Sequence, residues 1–387
     1  MTAGMAAPLL ARSLAPTICK DLERKIVLLS GPRQCGKTTL AREFHSDAAY
    51  FNFDVPEDRV VLRRKEWPRD VPLIIFDELH KMKSWKSWIK GVFDQEGIPP
   101  RLLVTGSARL DIARKMGDSL AGRHFLFRLH PFTLNELKSL RPRRESFARL
   151  LRFGGFPEPF LENDETFYRR WRRSHADIIL RQDLLDLEQV RDIQALETLI
   201  ELLRTRVGAT VSYQSLARDL ERDATTIKRW LGLLENLYLV FRVTPWHRNV
   251  ARSLLKEPKF YFYDNGQVSG DDGARLENLV ACALLRELQY VEDVEGRKGA
   301  LHFLRTKDGR EIDFLVLIDG KPRLMIEVKW ADDDAAKSFA WFQRSFARPV
   351  PQVQLVAELR RRRETPTGVQ ITPADVWLED LSLTERP

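Results

Sequence analysis

The chain has 387 residues, which is too long for one ordinary hydrophobic core and predicts two or three domains. Hydrophobic residues make up 43% of the sequence and charged residues 30%, a balance that excludes a wholly disordered chain. The longest apolar runs are far shorter than the roughly 20 residues that span a bilayer, so no membrane partner is expected. The net charge of +8 favours polyanionic partners, with nucleic acid first.

The start of the chain and the cysteines indicate the compartment. Residues 1–16 are rich in alanine but carry Arg12 and have no compact apolar stretch, so we expect no signal peptide. The three cysteines are far apart, which argues against a disulfide framework and against a cysteine zinc site. Together these features predict a reducing compartment, the cytoplasm.

Short apolar runs alternate with helix-length segments from residue 25 to residue 129. Several runs are continuous, as expected for strands that are buried on both faces of a sheet. The alternation predicts an α/β domain over residues 1–130, a parallel sheet with helices on both sides. The predicted strands are residues 25–30, 50–54, 72–76, 101–105 and 124–129.

A phosphate-binding loop follows the first predicted strand. Residues 31–38 read GPRQCGKT and fit the pattern G-x-x-x-x-G-K-[ST], with a predicted helix directly after them. The backbone N–H groups of such a loop can surround the phosphates of ATP, while Lys37 reaches the β- and γ-phosphates and Thr38 binds Mg²⁺. The predicted nucleotide-binding residues are Gly31, Pro32, Arg33, Gln34, Cys35, Gly36, Lys37, Thr38 and Thr39.

Two carboxylates end the third predicted strand, whose sequence is LIIFDE over residues 73–78. Asp77 is placed to complete the Mg²⁺ shell together with Thr38. Glu78 points elsewhere and can polarise the attacking water. The combination of the loop and this strand end predicts ATP hydrolysis.

Hydroxyl groups at the end of the next predicted strand are further candidates. Thr105 and Ser107 lie beside the Asp77 strand, where a hydroxyl can sense the γ-phosphate or position water, and Ser107 is slightly preferred. The alternative is an ordinary strand-to-loop turn.

Arg123 precedes the last predicted strand of this domain. In oligomeric ATPases of this layout, an arginine at this place reaches the γ-phosphate bound by the neighbouring subunit and stabilises the charge of the transition state. Arg109 and Arg114 are the second choices, and the alternative is a surface arginine. The prediction for Arg123 requires a homo-oligomer.

As a set, these motifs resemble the bacterial and archaeal AAA-type ATPases that carry a C-terminal domain of uncharacterised function. The likeness runs over nearly the whole chain. It implies an AAA+ core with a small helical lid at residues 131–188, ATPase activity, and assembly into a ring or hexamer, but it supplies no substrate. The matching segments are GPRQCGKTTL at 31–40, FDELHK at 76–81 with Trp85 and Trp88, TGS at 105–107, LAGR at 120–123, PFTLNE at 131–136 and GGFPE at 154–158.

The middle of the chain predicts a winged-helix domain over residues 189–255. Helices at 212–220 and 225–237 are separated by a short polar turn, and residues 238–243 would form the strand of the wing. Basic residues at this density suit contacts with DNA phosphates better than base reading. The alternative is a module that only packs against protein. The candidate DNA contacts are Arg218, Arg222, Lys228, Arg229, Arg242 and Arg248.

The C-terminal segment, residues 256–387, resembles the PD-(D/E)xK nuclease core. The candidate site combines Asp313, Glu327 and Lys329 on predicted strands with Glu277 on the preceding helix. Such chemistry needs carboxylates that share Mg²⁺ and a lysine beside them. With a two-residue turn at 319–320, Asp313 would oppose Ile326, so Asp313 and Glu327 share a face only if the connection is odd or a bulge intervenes. Alternatives are a binding module that does not cut and an ordinary charged hairpin.

The resulting expectation is a three-part α/β protein with a P-loop core and lid, a winged helix and a restriction-endonuclease-like domain. The favoured function is an oligomeric, ATP-hydrolysing, DNA-binding AAA+ ATPase that remodels or translocates DNA. One alternative is an ATP-controlled, Mg²⁺-dependent endonuclease. The other is a nucleotide-dependent switch that binds protein partners.

Overall fold

The computed structural model describes residues 12–106, 120–183, 192–247, 257–332 and 334–384. The chain divides into two compact units between Pro131 and Phe132. We call residues 1–131 unit 1 and residues 132–387 unit 2, and each is described by itself.

Unit 1 is built on a five-stranded sheet in the order β2-β3-β4-β1-β5, with every neighbouring pair parallel. This finding confirms the predicted parallel α/β core. β1 and β3 are interior strands of this sheet and are fully buried, as their continuous apolar runs predict. The strands are β1 (Ile26–Ser30), β2 (Ala49–Asn52), β3 (Leu73–Asp77), β4 (Arg101–Thr105) and β5 (His124–Arg128). The described helices of unit 1 are α1 (Ala15–Leu22), α2 (Lys37–Glu43), α3 (Pro56–Arg64) and α4 (Trp85–Glu96).

Aromatic side chains fill the core on one side of this sheet. Phe76 of β3 meets Trp67 and Trp88 edge to face, with ring centroids 5.6 and 5.4 Å apart. Such pairs add to the stabilisation from apolar burial. They fix β3, and with it the carboxylates at its end, against α4.

Unit 2 combines helices with an eight-stranded mixed sheet in the order β12-β13-β11-β10-β9-β8-β6-β7. The strands are β6 (Val240–Pro245), β7 (Lys259–Phe262), β8 (Gly299–Arg305), β9 (Glu311–Ile318), β10 (Lys321–Lys329), β11 (Gln352–Val356), β12 (Arg363–Glu364) and β13 (Val369–Pro373). The described α-helices are α5 (Arg143–Phe153), α6 (Pro157–Glu162), α7 (Glu165–Asp177), α8 (Ile193–Arg204), α9 (Tyr213–Asp219), α10 (Ala224–Asn236), α11 (Asp272–Glu295), α12 (Ser338–Gln343) and α13 (Ala374–Asp380).

The segment predicted as a helical lid, residues 131–188, belongs to unit 2 except for Pro131. The Tyr168 hydroxyl of α7 donates to Asp264 Oδ2 at 2.9 Å, and Asn265 Nδ2 donates to the Leu151 carbonyl of α5 at 3.1 Å. A Cβ atom on Gly155 would collide with the Phe132 carbonyl, so the GGFPE motif permits a close approach of two backbones. These contacts give the motifs at 131–136 and 154–158 a packing role within unit 2.

The helix pair predicted in the middle of the chain is present as α9 and α10. The strand predicted as a wing, β6, pairs antiparallel with β7 and parallel with β8. It therefore belongs to the eight-stranded sheet, which crosses the predicted boundary at 255/256. The physical reason is the apolar content of β6, four of whose six residues are buried.

In the described parts of the chain, no helix combines the length and the apolar character that a membrane crossing requires.

Candidate functional site

The loop between β1 and α2 has the backbone that phosphate binding requires. Gly31 has a φ of +149°, and a Cβ atom there would collide with the Leu129 carbonyl oxygen. Gly36, directly before α2, has a φ of +96°. Both conformations favour glycine, and they place the predicted loop residues in an open turn at the start of a helix.

Lys37, the first residue of α2, folds back over this loop. Its Nζ donates to the carbonyl oxygens of Gly31 at 3.0 Å and Pro32 at 2.6 Å, and the residue is buried. These acceptors are neutral, so a bound phosphate can replace them with a stronger, charge-assisted partner.

Arg12 supports the loop from the N-terminal segment. Its Nη1 donates to the Cys35 carbonyl at 3.2 Å and its Nη2 to the His130 carbonyl at 2.5 Å. Sequence reasoning missed this role because Arg12 is 23 residues from Cys35 and belongs to no motif. Cys35 is buried, and its thiol, like those of Cys19 and Cys282, is free.

Asp77 is the centre of the second half of the site. Its Oδ2 accepts hydrogen bonds from the Thr38 hydroxyl at 2.9 Å and from the Tyr50 hydroxyl at 2.6 Å. Its Oδ1 accepts from the Thr105 hydroxyl. A carboxylate and a hydroxyl in contact are oxygen ligands of the kind that Mg²⁺ prefers, so Thr38 and Asp77 fit the predicted metal site.

Tyr50 is a site residue that sequence reasoning missed. Burial, with Asp77 next, raises the pKa of the Tyr50 phenol, so the group stays protonated and donates. The Arg42 guanidinium lies 4.1 Å from the centre of its ring. The pairing of β2 with β3 creates this contact, and no local motif in the sequence marks it.

Glu78 follows Asp77 directly, and its side chain lies beside His80 and Lys81. Its backbone has a φ of +54°, and its N–H donates to the Thr105 carbonyl at 3.0 Å. Its Oε2 lies 3.5 Å from His80 Nε2 and 3.7 Å from Lys81 Nζ. Burial raises the pKa of the Glu78 carboxyl, while Lys81 and then Lys37 oppose the shift.

Arg123, another predicted catalytic residue, lies away from Lys37, Asp77 and Glu78. Arg123 immediately precedes β5, at the amino end of the strands, whereas the phosphate loop follows their carboxyl ends. Its Nε donates to Asp94 Oδ1 at 2.6 Å. Ser107, together with the second choices Arg109 and Arg114, lies outside the described residues.

A β-bulge decides the register of the predicted C-terminal site. The hairpin turns at Asp319-Gly320, where Ile318 pairs with Lys321, and the register shifts between Pro322 and Leu324. Beyond the shift Phe314 pairs with Ile326, which sets Asp313 opposite Glu327 on one face. The structure thus combines a short turn with a bulge, one of the two solutions that the alternation allowed.

The four predicted residues of this site come together. Asp313 Oδ2 accepts from the Val328 N–H at 2.8 Å, and Lys329 Nζ lies 2.8 Å from Glu327 Oε1. Burial, followed by Glu277 and Glu327, raises the pKa of Asp313 well above its usual range. Among the described residues, no group of three or more His, Cys, Asp or Glu side chains is arranged to hold a metal ion.

Lys259 and Glu311 are members of this cluster that sequence reasoning missed. Lys259 opens the buried strand β7, and its Nζ lies 2.5 Å from Glu311 Oε1 and 3.2 Å from Glu277 Oε1. Burial disfavours its charged form, but Glu277, Asp313 and Glu311 outweigh this effect and raise the pKa of Lys259. A single lysine at the head of the aromatic run KFYF is the signal that could have found it.

Two of the described candidate DNA contacts lie beside acidic residues of unit 2. Arg222 pairs with Asp192, and Arg242 lies 3.5 Å from Glu235. All five described candidates are exposed, namely Arg218 on α9, Arg222, Lys228 and Arg229 on α10, and Arg242 on β6, whereas Arg248 lies outside the described residues.

Three family models match successive parts of the chain. Residues 23–138 match the model described as an AAA domain. Residues 144–269 and 272–377 match two models, each described as a domain of unknown function (DUF8612 and DUF4143). The AAA match, together with the geometry of the phosphate loop, shows that the N-terminal part is a P-loop AAA-type ATPase domain. The predicted resemblance is confirmed to that extent.

The chain is also similar to whole proteins. It is 29% identical over 323 residues to an uncharacterised protein of Mycobacterium tuberculosis, covering 80% of this chain and 72% of that protein. It is 26% identical over 330 residues to an uncharacterised protein of Haemophilus influenzae, covering 75% and 79%. Among solved structures, a Walker-type ATPase of Pyrococcus abyssi aligns at 14% identity with a TM-score of 0.41, covering 70% of this chain and 97% of that one.

Proposed function

We propose that this chain hydrolyses ATP in unit 1 as a homo-oligomer and uses the energy to remodel or translocate DNA. One observation carries the hydrolytic part: Thr38 and Asp77, from the two halves of the predicted site, are in direct contact 2.9 Å apart, and Glu78 follows at once. The three residues supply, in one place, the metal ligands and the base that phosphoryl transfer to water needs.

Each residue has a separate task in the reaction. Backbone N–H groups of the loop and the Lys37 ammonium hold the β- and γ-phosphates, while Thr38 and Asp77 hold Mg²⁺. When bound, Mg²⁺ neutralises charge that develops on the phosphate oxygens. The Glu78 carboxylate accepts a hydrogen bond from the attacking water and takes up its proton. The raised pKa of Glu78 makes it a stronger base than an ordinary glutamate.

The first experiment separates binding from hydrolysis. Lys37→Ala should lose nucleotide binding, because the charged partner of the phosphates is gone. Glu78→Gln should bind Mg²⁺-ATP normally but hydrolyse it about 100-fold more slowly or worse, as expected for loss of a general base. Exposed residues of the same types, in Lys20→Ala and Glu57→Gln, serve as controls. Hydrolysis by Glu78→Gln at the normal rate would remove Glu78 from its role.

The position of Arg123 supports the oligomeric part of the proposal. Four residue steps along β5 separate the two ends of the sheet, about 13 Å at the usual rise per residue. Within one chain Arg123 therefore lies at the wrong end of the strands to act on its own phosphate loop. A neighbouring subunit can supply that loop once Arg123 leaves Asp94.

Mixing two inactive chains tests this arrangement. An Arg123→Ala chain keeps its phosphate loop, and a Lys37→Ala chain keeps its arginine. A mixture should regain ATP hydrolysis, since an intact loop then meets an intact arginine across the subunit boundary. If differently tagged chains co-purify in one assembly and the mixture stays inactive, Arg123 has a structural role only.

Charge supports the DNA part of the proposal. The chain carries +8, and Arg218, Lys228 and Arg229 are exposed on two successive helices. Basic side chains that contact phosphates release counterions, so binding should weaken steeply with salt. We expect single-stranded, duplex or branched DNA to raise the ATPase rate.

The matching variant is Arg218→Gln/Lys228→Gln, with Lys20→Gln in unit 1 as control. The double variant should reduce the salt dependence of DNA binding by about one unit of slope per lost phosphate contact. Undetectable binding of any DNA at low salt would favour the nucleotide-dependent, protein-binding switch instead. The ion pairs of Arg222 and Arg242 favour that second candidate, because they use two of the predicted DNA contacts inside unit 2.

A further inference from the structure

The carboxylate cluster of unit 2 contains a cation from its own chain. The Nζ of Lys259 lies 3.2 Å from Glu277 Oε1, 2.5 Å from Glu311 Oε1 and 3.8 Å from Asp313 Oδ1. The lysine side chain is 1% exposed, and its Nζ also lies 5.4 Å from the centre of the Phe303 ring. The ammonium is thus shielded from solvent and has fixed, charged partners.

We propose that Lys259 is the resident cation of this cluster, that the cluster therefore takes no divalent metal ion, and that unit 2 does not cut DNA. This inference is independent of ATP hydrolysis in unit 1. It assigns the nuclease-like signature of unit 2 a structural role, in which one buried lysine joins β7, β9 and α11.

The charges of the cluster are close to balance without a metal. Lys329 Nζ contacts Glu327 Oε1 at 2.8 Å, and Arg305 Nη1 lies 3.4 Å from Glu311 Oε2. With Lys259, three cations therefore face the four carboxylates of Glu277, Glu311, Asp313 and Glu327. A divalent ion at the same place would put its charge within a few ångströms of a buried ammonium in a medium of low dielectric.

Two of the carboxylate oxygens already accept hydrogen bonds from neighbouring groups. Asp313 Oδ2 accepts from the Val328 N–H, and Glu277 Oε1 accepts from the Tyr261 hydroxyl at 2.7 Å as well as from Lys259. Mg²⁺ requires oxygens at about 2.0–2.1 Å in near-ideal octahedral geometry. Such a shell would need several of these hydrogen bonds to break together.

Backbone covers the other side of Glu277. Gly208 has a φ of +79°, and a Cβ atom there would lie 2.6 Å from Glu277 Oε2. The same segment is anchored by the Val211 N–H, which donates to the Pro258 carbonyl at 2.8 Å, and by a bridge between Thr210 and Lys259. A phosphodiester that approached Glu277 would have to displace this segment.

One carboxylate oxygen, Glu327 Oε2, would be available to a metal ion, and this makes the proposal testable. Glu327 Oε2 is buried and has no hydrogen-bond partner within the described structure. If a metal binds here, it should depend on this oxygen and on Asp313. If Lys259 fills the site, removal of the lysine should create metal binding where the natural chain has none.

Mn²⁺ is the probe, titrated into the full-length chain and followed by calorimetry and by electron paramagnetic resonance. All proteins carry Asp77→Asn, which silences the metal site of unit 1. The chain with Lys259 intact should show no Mn²⁺ binding that depends on Asp313. Lys259→Met should gain one Mn²⁺ per chain and lose it again when Asp313→Asn is added. Lys259→Arg, which keeps the charge, should gain none.

Three results would overturn the proposal. The first is stoichiometric Mn²⁺ binding by the Lys259 chain that disappears with Asp313→Asn or Glu327→Gln. The second is nicking of supercoiled plasmid with Mg²⁺ or Mn²⁺ that disappears with Asp313→Ala. The third is a folded Lys259→Met chain that gains no metal. If Lys259→Met does not fold alone, Mn²⁺ in the refolding buffer should restore its yield, and failure of that rescue counts against the proposal.

Discussion

The loop site of unit 1 and the carboxylate cluster of unit 2 both combine acidic residues with a lysine. They differ in the partners of these charged groups, which are neutral in unit 1 and oppositely charged in unit 2. In unit 1, Lys37 is held by two carbonyl oxygens and Asp77 by hydroxyl groups of Thr38, Tyr50 and Thr105. In unit 2, Lys259 lies directly against carboxylates.

The difference concerns what a ligand must displace. Neutral partners can be exchanged for a phosphate or a metal ion at small cost, because the new contact is charge-assisted and stronger. Removal of one member of a buried ion pair leaves an uncompensated charge, which costs several kcal/mol. A motif of acids and a lysine therefore indicates a binding site only where the acids and the lysine are not each other's partners.

The largest expected effect is on the free energy of unfolding, which should differ between substitution of Lys259 and substitution of Lys37. Lys259→Met should lower the stability of unit 2 by about 3–5 kcal/mol, because buried carboxylates lose their cation. For a unit of this size that corresponds to a fall in melting temperature of about 10 °C. Lys37→Met should change the stability of unit 1 by about 1 kcal/mol or less while abolishing ATP turnover. Differential scanning calorimetry gives the first quantity and steady-state ATPase assays the second.

The control for Lys259→Met is Lys298→Met, which removes an exposed lysine of unit 2. Adding Glu277→Gln to Lys259→Met should cost less than the sum of the two single changes, because the two side chains share one interaction. Equal melting temperatures for Lys259→Met and Lys298→Met would show that the buried ion pairs contribute nothing net.

The sequence was sufficient for the loop site because its parts are local. Residues 31–38 are contiguous, and Asp77 and Glu78 follow a buried strand, so motif and alternation predict the chemistry directly. Tyr50 and Arg12 escaped prediction because their contacts depend on which strands are neighbours and on where the N-terminal segment passes. Those choices are set by packing of the whole unit.

For unit 2 the residue types were visible but their arrangement was not. Asp313 and Glu327 share a face only because the register shifts near Arg323, and alternation alone left that open. Lys259 is 18 residues from Glu277 and 54 from Asp313, and in the sheet order β6 and β8 lie between its strand β7 and the Asp313 strand β9. Long-range strand order of this kind leaves no local signal.

A smaller effect tests whether the neutral partners of Asp77 matter for metal binding. Thr105 is buried, and its hydroxyl donates to Asp77 Oδ1. Thr105→Val should weaken the response of kcat/KM to Mg²⁺ by about tenfold, because a hydrogen bond to a charged group is worth about 1.5–3 kcal/mol. Thr105→Ser keeps the hydroxyl and should retain most of the response. Equal Mg²⁺ dependence in the valine and serine variants would show that only the shape of the side chain matters.

The smallest expected effect is a shift in the pH dependence of kcat/KM, which tests how a charged neighbour affects Glu78 in unit 1. Its carboxylate must be deprotonated to take the proton of water, so kcat/KM should fall as pH decreases through the pKa of this group. Burial raises that pKa, and Lys81, with Nζ 3.7 Å from Oε2, lowers it again. Lys81→Met removes a positive charge, so the pKa of Glu78 should rise further and the acid limb of the profile should move to higher pH.

The rates of the natural chain and of Lys81→Met should therefore differ most at acid pH and converge at alkaline pH, where Glu78 is ionised in both. Lys83→Met, which removes an exposed lysine two residues away, should leave the acid limb in place. An acid limb that moves to lower pH, or that stays unchanged in Lys81→Met, would mean that a group other than Glu78 limits the reaction. A shift in the expected direction would show that Lys81 changes the pKa of Glu78 while leaving its carboxylate available to water. In unit 2, by contrast, the cation beside Asp313 takes the position that a metal ion would need.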